Sequence, residues 1–239
     1  MRACRKTPPL FFRTVYDEKA LDDCFAELIH APLAEQDKIE VGCLIQYFMI
    51  LRAHGLVDLP VDISKHRQGT GPDFTICSGE GLYGVEMTKV TTQDYQVWLK
   101  RRVNYRPIRD VNDYLELKPE YRVAELAALR VLRKNFKIAN YFAHIPEMFA
   151  CDLVLEEDGD CSMNIDALVE MLSARVKGVK PQRFRRISMI SGSVLYYAIN
   201  TNDACILEAP DAIPAWLRPQ GGAQNGREML ASPPNALWH

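Results

Sequence analysis

The chain has 239 residues, 48% of them hydrophobic and 25% charged, enough for one sizeable core or one core plus a small appendage. Its 29 basic and 31 acidic residues nearly cancel, so the molecule is no polycation, and any nucleic-acid binding must come from local clusters of charge. Seven cysteines, at 4, 24, 43, 77, 151, 161 and 205, include no CxxC pair; this argues against a zinc knuckle or disulfide framework and for buried reduced thiols.

Leu10, Phe11 and Phe12 run straight into Arg13, too short a stretch for the apolar heart of a signal peptide. No segment reaches transmembrane length, so a cytoplasmic protein away from membranes is expected. In chain order, Glu18 to His30 predicts a helix from Leu21, Phe25, Leu28 and Ile29 at helical spacing. A stronger helix is predicted from about Glu35 to His54, with Ile39, Cys43, Leu44, Tyr47, Phe48 and Leu51 as its apolar stripe and Gly55 at its C-cap. Phe74–Cys77 and Leu82–Met87 flank Gly79-Glu80-Gly81 and predict a β-hairpin. After a polar, basic stretch from Thr91 to Arg109 comes a long predicted helix, roughly Pro119 to Phe142, with Val123, Leu126, Leu129, Leu132 and Phe136 inside. Cys151–Leu155 predicts a strand and Asn164–Val176 a helix. Two strands around Gly192-Ser193 and a short one at Ala204–Leu207 follow. This order predicts a mixed α/β (α+β) sandwich with one central sheet flanked by helices. Residues 219–239 lose periodicity and are expected to form an irregular tail.

Two carboxylates stand out. Asp73 follows Pro72 at the mouth of the first hairpin strand, and Glu86 lies in the second, 86 − 73 = 13 residues later. Opposite positions of an antiparallel pair have Cβ atoms ~5 Å apart, so the hairpin can bring both acids to one cation. Magnesium suits such a site, because it takes oxygen ligands and needs only one or two carboxylates plus a substrate phosphate. Strand alternation puts Glu86 on the same side as Gly84 and Thr88, with Val85, Met87 and Lys89 on the other. Gly84 would leave room beside Glu86 for a ligand or backbone. The structural alternative is a Glu86 that pairs with an arginine or caps a loop.

Pro72-Asp73-Phe74, a glycine hairpin and then Gly84-Val85-Glu86-Met87-Thr88 resemble the PD-(D/E)xK phosphodiesterase superfamily, the fold of many restriction enzymes and repair nucleases. The likeness covers about half the chain, Glu35 through Leu155, where a helix, a three-stranded meander, a helix and a further strand are the family's order. It implies one nuclease-like domain over residues 1–218, with a restriction-endonuclease-like core at about 35–156 and a helix–strand extension at 160–210. It further implies a nuclease that hydrolyses DNA, in preference to RNA, with water activated by Mg2+ or Mn2+. Asp73 and Glu86 match the two metal-binding acids. Glu40 matches a glutamate that many members add from the preceding helix, with Glu35 as fallback; a first-turn glutamate complementing the helix dipole is the other reading of Glu40.

The family pattern wants a lysine two residues after the second acid, where this chain has Thr88. A β-bulge could swing Lys89 into the site, a lysine such as Lys100 could have migrated there, or the site could work through Thr88 and the metal alone. A fourth possibility is an inactive site on a fold that scaffolds a protein or nucleic-acid complex. Contacts to nucleic acid are expected from the run Lys100, Arg101, Arg102, Arg106 and Arg109, which is interleaved with Tyr95, Trp98 and Tyr105, and from Lys65 and Arg67. A second basic cluster is Lys177, Lys180, Arg183, Arg185 and Arg186, and His66 is a candidate auxiliary acid or base. A homodimer or a partner protein is left open.

Overall fold

A computed structural model describes residues 9–30, 32–66, 71–90, 119–157 and 163–209. It opens with β1 (Phe11–Val15), α1 (Glu18–His30), α2 (Glu35–Ala53), β2 (Val61–Lys65), β3 (Phe74–Ser78) and β4 (Gly81–Val90). Then come α3 (Pro119–His144), β5 (Met148–Glu157), α4 (Ile165–Val176), β6 (Arg186–Ser191), β7 (Val194–Tyr197) and β8 (Cys205–Glu208). The expected mixed α/β architecture is present, with all eight strands in one sheet in sequence order. Pairing is antiparallel from β1 to β4, parallel across β4–β5–β6, and antiparallel again to β8. The two parallel steps are those bridged by α3 and α4, since parallel neighbours need a long crossover. Among the described residues no helix is long and apolar enough to cross a membrane.

α1 and α2 cover one face, over Val61, Ile63, Phe74, Ile76, Val85, Met87 and Val154. α3 and α4 cover the other, over Cys151, Leu153, Leu155, Ile187 and Met189. α2 is buried all round from Cys43 to Phe48, as a helix lodged between α1 and the sheet must be. Gln46, the polar exception there, donates its amide to the Gly192 carbonyl. Of the five described cysteines, Cys24, Cys43 and Cys151 are buried free thiols, while Cys77 and Cys205 are exposed.

Two expectations needed correction. β1 has no counterpart among the predicted elements, and β2, a third strand before the hairpin, was implied by the resemblance but not located. β2 does alternate, with Val61, Ile63 and Lys65 all turned inward, but a lysine at the third inward position disguises the pattern. On α3 the expected inner positions Leu129 and Phe136 are 47% and 77% exposed. Its buried stripe consists instead of Val123, Ala124, Ala127, Val131 and Ile138. Small residues on that stripe let the helix lie close to the sheet and to α4, and the bulky residues end up on its back.

Candidate metal and phosphate site

β3 begins at Phe74, which pairs with Val85, while β4 runs on beside β5 to Val90. One step further along the register, Asp73 comes opposite Glu86 on the face that α3 covers. The reason lies in Gly84: a Cβ there would meet Pro72 Cγ at 2.9 Å and Met148 Sδ at 2.8 Å. The room expected beside Glu86 is therefore filled by Pro72, and that packing seats the next residue. Asp73 then docks on β4 reciprocally. Its backbone N–H donates to Glu86 Oε2 at 3.2 Å, and the Met87 N–H donates to Asp73 Oδ2 at 2.8 Å.

Glu86 is only 2% exposed, so its charge needs partners. They come from α3. Lys134 Nζ forms an ion pair with Glu86 Oε1, and the Tyr141 hydroxyl donates to the same oxygen at 3.2 Å. Among the described residues, three of the four carboxylate oxygens of the pair thus carry hydrogen bonds. Burial, and next the Glu86 charge, push the Asp73 carboxyl up to about 6, against the pull of Lys134 and the Met87 N–H. Burial and Glu86 likewise raise the Tyr141 hydroxyl, keeping it a neutral donor.

Other expected residues fall elsewhere. Glu40 does not join the two acids: with Asp37 it takes the ammonium of Lys65, which is 2% exposed and lies 4.7 Å over the Phe74 ring. Its charge still contributes to raising Asp73. Lys65 was expected on a phosphate and is instead buried within this network. The bulge is absent at Thr88, because the register of β4 against β5 shifts only between Leu82 and Tyr83. Thr88 accordingly shares the face of Glu86, whereas Lys89 looks to the α2 side, where its charge and that of its strand neighbour Glu156 reach the Cys43 thiol. His66, whose N–H donates to the Asp73 carbonyl at 2.9 Å, turns its ring to the Thr75 hydroxyl at 2.7 Å. Burial and Lys65 lower its pKa and favour the neutral ring. Arg67, Lys100, Arg101, Arg102, Arg106 and Arg109 lie outside the described residues, and nothing is described of the Glu35 side chain. From the second basic cluster, Arg185 grips the buried Asp152 with two nitrogens and stacks on Tyr83, a structural role.

Lys134 and Tyr141 were missed. A signal for them existed: they stand at 131 + 3, 138 − 4 and 138 + 3 on the stripe of Ala127, Val131 and Ile138, where a lysine and a tyrosine are foreign.

Do these residues fit a divalent ion? Two adjoining carboxylates are a chemically suitable donor pair for magnesium or manganese when a phosphate and water supply the rest. Among the described residues no group of three or more His, Cys, Asp or Glu is arranged to hold a metal. An ion on this pair would share Glu86 with Lys134 or displace it. In comparisons with family models, curated proteins and solved structures, the chain matches none.

Proposed function

We propose that this protein is a metal-dependent phosphodiesterase of the PD-(D/E)xK type that cleaves DNA in preference to RNA. The observation carrying the reading is the convergence of Asp73, Glu86 and Lys134 at the point where β3 leaves β4. A buried acid, a half-buried one and a lysine are the residue types that the motif calls for, although here the lysine comes from α3. The order α2, β2–β3–β4, α3, β5 also parallels the core of that superfamily. A cytoplasmic setting belongs to the same proposal.

Asp73 and Glu86 would hold Mg2+ or Mn2+, which supplies charge to the phosphate and lowers the pKa of water. Lys134 takes the part first offered to Thr88, Lys89 or Lys100: its side chain is half-buried, and its ammonium stabilises negative charge gathering on the phosphate oxygens. Tyr141 holds Glu86 in place, and the Met87 N–H does the same for Asp73.

A second reading has its own observation. Lys134 already neutralises Glu86, as in a structural ion pair, and an inactive nuclease fold that scaffolds a complex would look the same. Plasmid incubation separates the two. Cleavage that requires magnesium or manganese, stops with EDTA and falls at least about a hundredfold in Asp73→Asn is expected. Intact plasmid with the wild type supports the scaffold instead.

A further inference from the structure

The described basic surface nearest the carboxylates is on α3. Between Glu125 and Glu147 the chain holds no acidic residue but four cations, Arg130, Arg133, Lys134 and Lys137, in a protein whose net charge is −2. Two of them fix the orientation of this flank. Arg130 donates to the Lys89 carbonyl and Lys134 pairs with Glu86, so the flank runs alongside β4 from Lys89 back to Glu86. Arg133 and Lys137 sit one helical turn beyond these anchors, at 130 + 3 and 134 + 3, and both are exposed. Along this stretch β4 has β5 on one side and, among the described residues, no strand on the other. The opposite flank of α3 is occupied: Asn135 donates to the Pro181 carbonyl and accepts from the Arg183 N–H.

We propose that the flank of α3 bearing Arg133 and Lys137 is a track for the phosphodiester backbone of DNA, leading one strand to Asp73 and Glu86. A polyanion fits a surface with cations at successive turns and no acid among them. Contacts of this kind position a backbone without reading bases, so binding is independent of sequence. The direction toward the carboxylates rests on the phosphodiesterase reading; the binding surface itself does not.

The test measures binding and cleavage separately on the full chain. Anisotropy of a short labelled DNA duplex is followed in EDTA across a salt series, for wild type, Arg133→Gln/Lys137→Gln, and Lys177→Gln/Lys180→Gln. The last pair is exposed and belongs to the rival basic cluster near the end of α4. The α3 variant is expected to bind about tenfold more weakly, with the log–log salt slope reduced by about 1.8, or 0.9 for each lost phosphate contact. The α4 variant should bind as wild type does. Undiminished binding by the α3 variant, equal loss in both variants, or no binding by wild type overturns the track. If the track holds while no metal supports cleavage, the phosphodiesterase reading fails alone. If cleavage occurs with an unchanged KM in the α3 variant, the track fails alone.

Discussion

Lys134→Met is expected to lower metal-dependent DNA cleavage by about 10²–10³-fold, the usual effect of deleting one group that stabilises developing charge. Strand alternation excludes Lys89, and the unshifted register between Tyr83 and Val90 excludes a bulge that could rescue it. Among the described residues, Lys134 is the cation that pairs with Glu86. Loss of activity by unfolding must be separated from loss of chemistry, because Lys134→Met strips a 2% exposed glutamate of its counter-ion, a change that costs about 3–5 kcal/mol. Lys134→Met/Glu86→Gln serves as the control. It removes both charges, leaves the Tyr141 hydroxyl a carbonyl to donate to, and should recover most of the unfolding free energy in urea while remaining inactive. Full activity in a folded Lys134→Met would assign the lysine a purely structural role.

Asp73→Asn is expected to make the metal-free protein more stable at pH 7, by up to about 3 kcal/mol. The carboxyl stands at about 6 rather than its usual 3.8, so the folded state binds this proton more tightly than the unfolded chain does. Its contribution to stability is therefore complete below pH ~4 and is lost as the pH rises through about 6. An asparagine carries no charge to desolvate beside Glu86, and its carbonyl can still accept from the Met87 N–H. Urea unfolding in EDTA at steps between pH 4 and pH 7 should show the two proteins converging at the acid end. A variant that is less stable at pH 7, or whose advantage does not change with pH, contradicts the assignment. The same raised carboxyl means that protons compete with a metal ion below pH ~6.

The fold was largely legible in the sequence wherever periodicity and glycine turns carry information. The hairpin about Gly79–Gly81, the long second helix and the βαβ order emerged from local pattern alone. β2 did not, because Lys65 on its inward face is tolerated only through Glu40, Asp37 and the Phe74 ring, partners far away in sequence or hidden by the fold. The acid pair was legible because a carboxylate between Val85 and Met87 is conspicuous and the hairpin register is local. Its lysine was not: Lys134 is 134 − 86 = 48 residues from Glu86, and only docking of α3 joins them. Reading the α3 stripe by side-chain bulk rather than by the Ala-Val-Ile series also hid the one lysine that points to the sheet. Glu40 shows the converse error, an inward-facing acid whose nearest cation was a buried lysine and not a metal.

The most direct measurement is a calorimetric titration of the full chain with manganese at pH 7. Saturable binding with a micromolar Kd is expected in the wild type and none in Asp73→Asn, a variant expected to be the more stable of the two. Equal binding by both proteins, or no binding by the wild type, would contradict a metal site on Asp73 and Glu86.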